Sequence, residues 1–299
     1  MKHGGSSWAE SLAVDFSDNL NPLGPPPELI QLAREAVERG VYLKFPANLA
    51  EEALSQYEGL PVTIFNGATE AALALLASIG ARRLVTPESE YRDYVRIAGL
   101  LDISHVFGVE RAEAGDVVVL SNPGNPMGRY MPRDVLLELS KRLESRGVRL
   151  VVDESFIDFC NCPTAAPEVP VVKSYGKLLA APGLRIGAIV GEVRQELKAP
   201  WRVNSVADYV IYMMGADGLK RHKAKTVQYI GEELPRVWNA VAGCRKTEPT
   251  DVHFFVAYGP PPRGIKVRTL EDRGIDGFRA SIKTPQLDDI LVEAICGDV

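Results

Sequence analysis

The chain has 299 residues, enough to bury a large core and to form one large domain with a smaller one beside it. Hydrophobic residues make up 46% and charged residues 24%, the balance of an ordinary globular protein, which argues against a disordered or low-complexity chain. A net charge of -5 with acids and bases interspersed argues against a nucleic-acid or anionic-membrane partner, and the longest apolar stretch, 71–77, is too short to span a bilayer.

The opening Met1-Lys-His-Gly-Gly-Ser-Ser7 lacks the apolar core of a signal peptide, so the expected location is the cytoplasm. A Pro/Gly segment over 21–27 precedes an expected helix over 28–39. From about 61 to 191 short apolar runs alternate with helical patterns. Strands are expected over 61–65, 83–86, 116–120, 148–153, 171–172 and 186–190, with helices over 69–79 and 132–146. This alternation predicts an α/β fold: a large three-layer α/β/α domain with a mostly parallel sheet, over 45–205. From about 206 a long helical stretch leads to strand-like 252–257 and 265–267 and a final helix from 285. Residues 1–44 and 206–299 are expected to fold together as a smaller α+β domain. Cys160, Cys162, Cys244 and Cys296 form no CxxC pair and read as reduced thiols rather than a metal site.

Ligands of open α/β sheets bind beyond the carboxyl ends of the strands. Four polar motifs fall there. Asn66-Gly-Ala-Thr-Glu70 lies between a strand and a helix, where exposed backbone N–H groups, helped by Gly67 and the Thr69 hydroxyl, make an anion site, although a plain N-cap would look the same. Asn122-Pro-Gly-Asn-Pro-Met-Gly128 follows a buried run and by itself reads as a tight turn. Asp153 ends another buried run, where a carboxylate needs a partner to stay ionised. Ser174 lies three residues before Lys177, and Arg185 eight after it. One cofactor, pyridoxal phosphate, needs this set: an amine for a Schiff base, a carboxylate for its ring nitrogen, and hydroxyl and cationic groups for its phosphate.

Together with Pro182-Gly-Leu-Arg-Ile-Gly187, these motifs resemble the aspartate-aminotransferase-like family of pyridoxal-phosphate enzymes over nearly the whole chain. Within that family the sequence looks most like the branch of histidinol-phosphate aminotransferase and threonine-phosphate decarboxylase. Three segments favour the decarboxylase: His3-Gly-Gly5, the Asp15 to Gly24 stretch, and Phe-Ile-Asp-Phe at 156–159. The resemblance implies Lys177 as Schiff-base lysine, Asp153 at the ring nitrogen, and Asn125 at the phenolic oxygen. It also implies Tyr91 as the stacking aromatic and a phosphate cup of Gly67, Ala68, Thr69, Ser174 and Arg185. His3, Asn21, Arg268 and Arg279 are the expected substrate-binding residues.

It further implies a homodimer whose 42–46 segment approaches the neighbouring cofactor, with Phe45 where a tyrosine is usual and Tyr42 as a substitute. A second departure is Phe156, which replaces a tyrosine that many aminotransferases aim at the phenolic oxygen. The substrate class is a phosphorylated amino acid or amine. The first expectation is decarboxylation of L-threonine O-phosphate, in relatives a step of cobalamin side-chain assembly. The second is histidinol-phosphate transamination, and the third a non-catalytic binding protein of the same fold. Which Cα substituent is held perpendicular to the cofactor ring decides between the first two.

Overall fold

The computed structural model describes residues 4–10 and 14–297. A seven-stranded sheet forms from β1 (Val62–Asn66), β2 (Arg83–Thr86), β3 (Ser104–Phe107), β4 (Val117–Ser121), β5 (Arg149–Asp153), β6 (Val171–Ser174) and β7 (Ile186–Val190), in the order β1-β7-β6-β5-β4-β2-β3. All neighbours pair in parallel except β7, which runs antiparallel to both β1 and β6. A second, antiparallel sheet joins β8 (Phe254–Tyr258), β9 (Arg268–Thr269) and β10 (Gly277–Ser281), with β10 central.

The strand sequences account for the three layers. Alternate residues of β4 enter opposite cores: Val118 and Leu120 share one with Ile64, Val152 and Ala188, while Val117 and Val119 share the other with Phe65, Val151 and Ile189. Two buried faces need apolar residues at every position, and hence a nearly continuous Val/Ile/Leu run. Helices α1 (Pro27–Glu38), α2 (Ala50–Glu58) and α5 (Arg133–Glu144) cover the first face; α3 (Ala68–Ile79) and α4 (Asp93–Leu100) cover the second. Single turns, α6 (Ile157–Cys160) and α7 (Tyr175–Leu178), follow β5 and β6.

Helix α8 (Ser205–Ala242) starts at an Asn204 cap, whose side chain accepts from the Ala207 N–H at 2.8 Å, and breaks at Gly215, where φ is 64° and ψ 175°. Before the break Val210, Ile211 and Met214 pack into the large core. Beyond it Ile230, Val237 and Val241 join β8, β10 and α9 (Pro285–Cys296) in a second core with Phe16. Leu29 of α1 also belongs to the large core. We therefore propose that the expected boundaries at 44 and 206 move, with α1 and α8 as far as Leu219, which still packs in the large core, assigned to the large domain.

Other expectations also change. The 265–267 run is not a strand of the small sheet; Lys266 instead pairs with the amino-terminal strap, accepting from the Phe16 N–H at 2.8 Å and donating to Val14 O at 3.1 Å. The cysteines are not reduced thiols: Cys160 bonds to Cys162 and Cys244 to Cys296. Cys244 follows α8 and Cys296 ends α9, so helix packing brings together two residues 52 apart, which chain spacing does not reveal. Among the described residues no helix is long and apolar enough to cross a membrane.

Candidate active site

Because β1, β4, β5 and β6 point the same way, their carboxyl ends place Asn66, Ser121, Asp153 and Ser174 along one edge of the sheet. Antiparallel β7 begins at that edge, with Gly187 paired to both Ser174 and Phe65. A cavity of about 260 Å³ opens there, lined among others by Gly67, Ala68, Thr69, Tyr91, Asn125, Asp153, Ser174, Lys177 and Arg185. Sheet topology has thus brought together every expected cofactor-binding residue.

Lys177 sits in the turn α7, and its amine makes no hydrogen bond or ion pair among the described residues. Desolvation first, then the positive charge of Arg279, pushes its pKa down to about 8 against the attraction of Asp18 and Asp153. Asp153 is held from two sides. Its Oδ1 accepts from the Ser155 N–H at 3.0 Å and the Ser155 hydroxyl at 2.5 Å, and its Oδ2 accepts from the Tyr94 hydroxyl at 2.8 Å. These bonds satisfy a buried carboxylate and fix its orientation, leaving acceptor capacity toward the cavity. Sequence reading missed Tyr94, since only the packing of α4 on β2 and β3 lets its hydroxyl reach Asp153 at the end of β5.

Glycine shapes the opposite end of the cavity. Gly67 has φ +98°, and a Cβ on it would lie 2.4 Å from an Arg185 guanidinium nitrogen. That close approach lays Arg185 over the start of α3, whose first N–H groups have no intrahelical partner. The Arg185 guanidinium forms no hydrogen bond or ion pair among the described residues. Gly187 seats the same helix start: its Cβ would stand 2.1 Å from Ala68 N. Backbone cannot yield as a flexible side chain does, so Gly187→Ala is expected to push α3 off β7. Cofactor affinity should fall by at least about tenfold, or roughly 1.4 kcal/mol, in a fluorescence titration; an unchanged affinity would refute this packing argument.

The third wall is cationic. Arg268, Arg273 and Arg279 all line the cavity and are 4%, 6% and 4% exposed. Arg279 donates to Asn125 Oδ1 at 2.8 Å and to Ser17 O at 2.7 Å. Arg268 is gripped by Asp272, with bonds of 3.0 and 2.8 Å to its two carboxylate oxygens. Arg273 donates to Asn125 O at 2.8 Å and Ser89 O at 3.2 Å. The Nε atoms of Arg273 and Arg279 are buried without partners, a deficit of about 1–3 kcal/mol each that an anion would relieve. Burial and mutual repulsion push Arg279 down to about 9 and Arg273 to about 10; both stay charged at neutral pH.

Among the other expected substrate residues, His3 lies outside the described residues. Its neighbour Gly4 does line the cavity, packed so closely that a Cβ would lie 1.8 Å from Ser17 O and 3.2 Å from Arg279. Asn21 does not reach the site. Its amide is buried and donates to Leu178 O and Thr226 Oγ1, both at 2.7 Å, tying the amino-terminal strap to α7 and α8; Asn19 and Asp18 line the cavity instead. Phe156 also lines it, supplying no hydroxyl where a tyrosine would.

The sequence pattern that defines aminotransferase class I and II matches residues 13–214. The chain belongs to this family. It is 26% identical to the histidinol-phosphate aminotransferase of Chlorobium luteolum over 290 residues, covering 84% of this chain and 79% of that protein. It is 28% identical to the threonine-phosphate decarboxylase of Salmonella typhimurium over 230 residues, covering 65% and 62%. The fold matches the histidinol-phosphate aminotransferase of Sinorhizobium meliloti solved with pyridoxal-5'-phosphate, at a TM-score of 0.71 and 18% identity over 94% of this chain and 89% of that one. The protein is a pyridoxal-phosphate-dependent enzyme, either a decarboxylase or an aminotransferase. Its own geometry fits the cofactor, with an unpartnered amine, an oriented carboxylate and a glycine-built anion cup around one cavity.

Proposed function

We propose that this enzyme removes the carboxylate of L-threonine O-3-phosphate as CO₂, giving (R)-1-aminopropan-2-yl phosphate, a step toward cobalamin. The observation that carries this reading is the arginine wall facing Lys177. Arg268, Arg273 and Arg279 together carry three positive charges against the one negative charge of Asp272, which suits a substrate with two anionic groups. Histidinol phosphate has a phosphate but no carboxylate, so in the transamination reading only the acceptor, 2-oxoglutarate, brings two anionic groups to this wall.

When bound, pyridoxal phosphate supplies an electron sink for the negative charge that develops at Cα. In this reading the chain does the rest. Gly67, Ala68, Thr69, Ser174 and Arg185 anchor the cofactor phosphate, Tyr91 packs on the ring, and Asn125 faces the phenolic oxygen. Asp153, oriented by Tyr94 and Ser155, holds a proton on the ring nitrogen. Arg279 would hold the substrate carboxylate beside Gly4 and so orient the bond to be broken, while the rest of the arginine wall faces the substrate phosphate. Lys177 would hold the cofactor and, once displaced by the substrate amine, would give a proton to Cα in place of the departing CO₂. The test is CO₂ release from threonine phosphate with and without 2-oxoglutarate. Release independent of the oxo acid is expected. Amino transfer from histidinol phosphate without CO₂ release would instead establish the second reading, which the relatives named histidinol-phosphate aminotransferase support.

We also propose a homodimer. Tyr42, Leu43 and Phe45 are 59%, 73% and 75% exposed in one short segment, and Phe45 stacks on Trp201 with ring centroids 4.5 Å apart. Arg185 is exposed, so the phosphate cup is open on its outer side, where Tyr42 of a second copy would close it. Sedimentation is expected to give a dimer, and an active monomer would refute the arrangement.

A further inference from the structure

Three arginines line one wall, yet they are not equivalent. Both outer nitrogens of Arg268 are committed to the carboxylate of Asp272, a forked pair that cancels its charge locally. Arg279 is shared between Asn125 Oδ1 and the strap carbonyl of Ser17. Arg273 spends only one nitrogen, Nη1, on the Asn125 and Ser89 carbonyls, which are neutral. Its Nε is buried without a partner and its Nη2 forms no bond among the described residues. The carboxylates that attract it, Glu90 and Asp272, form no ion pair with it. Glu90 is committed to Ser121 and the Tyr91 N–H.

Local sequence explains the split. A single tight turn, Glu271–Arg273, ends at Gly274 with φ +71°, the left-handed conformation that lets the chain reverse into β10. Asp272 is thereby turned to Arg268, four residues back and across the β9 end, while Arg273 lines the cavity beside Asn125. Two bonds to fixed carbonyls hold the Arg273 guanidinium in one plane, so little side-chain freedom remains to be lost on binding.

We propose that Arg273, rather than Arg268, is the residue that selects a phosphate-bearing substrate, with Arg268 and Asp272 forming a neutral brace behind it. This rests on the reading of the site as one for a phosphorylated amino acid and assigns its phosphate arm. A phosphate dianion gains the unbonded Nη2 donor and the unpaired charge of Arg273, whereas an unphosphorylated amino acid leaves them unused.

The test uses the cofactor-loaded enzyme and follows the cofactor absorbance during titration with O-phospho-L-threonine, with L-threonine, and with inorganic phosphate as competitor. Arg273→Gln is expected to weaken phosphothreonine and inorganic phosphate by at least about 30-fold, the scale of a lost charge-assisted pair. Threonine should change by less than about threefold, and Arg273→Lys should restore part of the loss. Arg268→Gln is expected to weaken all ligands alike through the loosened brace. Equal losses for phosphorylated and unphosphorylated ligands in Arg273→Gln would overturn the proposal and leave Arg273 a tether for Asn125. A phosphate-specific loss in Arg268→Gln alone would overturn it in favour of Arg268. A parent enzyme that binds threonine as tightly as its phosphate ester would overturn both this inference and the proposed substrate class.

Discussion

Replacing Lys177 by alanine is expected to lower turnover by at least about 10⁴-fold, equivalent to roughly 5.5 kcal/mol of lost barrier reduction, with the fold intact. The expectation stands on position and on ionisation. Lys177 lies between the ends of β6 and β7 in the cavity, its amine free of partners among the described residues. Burial and Arg279 bring it to about 8 from an ordinary 10.5, so the neutral, nucleophilic fraction at neutral pH rises by roughly 300-fold (10 to the power 2.5). Only the neutral amine can attack the aldehyde of the cofactor. Capture of pyridoxal phosphate by the apoprotein, trapped with borohydride, should therefore rise with pH and level off above about 8. Fully active Lys177→Ala, or capture that does not depend on pH, would remove Lys177 from the proposed role. Circular dichroism of the variant separates a chemical loss from unfolding.

Asp153→Asn is expected to retain cofactor but to lose about 10³-fold in rate, or roughly 4 kcal/mol. The amide keeps the size of the carboxylate, and its oxygen can still accept from Ser155 or Tyr94, so the loss falls on charge rather than packing. In the proposed role, loss of that charge would release the proton from the ring nitrogen and weaken the electron sink. The measurement is kcat together with the absorbance of the bound cofactor. Normal turnover with an unaltered spectrum would count against this role for Asp153.

Much of the site was legible in the chain because the family chemistry attaches each group to the end of a strand. Lys177, Asp153 and Arg185 lie within 33 residues, and the strands that carry them are apolar runs visible by eye. The α/β class followed for the same reason, since a sheet buried on both faces leaves a nearly unbroken hydrophobic signature. Edge strand β3, Ser104–Phe107, escaped: its residues are half-buried or exposed and carry no such run. Short α2 and α4 escaped as well, their apolar residues too few to set a period.

What the sequence could not determine is which polar group meets which. The antiparallel insertion of β7 between β1 and β6 brings Gly187 against Ala68, a contact between residues 119 apart. Arg273 reads as one more charge in a polar turn, and only the folding of β9 and β10 beside β8 buries it against Asn125, 148 residues away. The same packing pairs Arg268 with Asp272 and turns Asn21 away from the cavity toward Thr226. Local sequence sets strand, helix and turn through patterns of a few residues. Charge pairing in the cavity depends on ångström-scale distances between distant segments, and those are settled only when the two cores pack together.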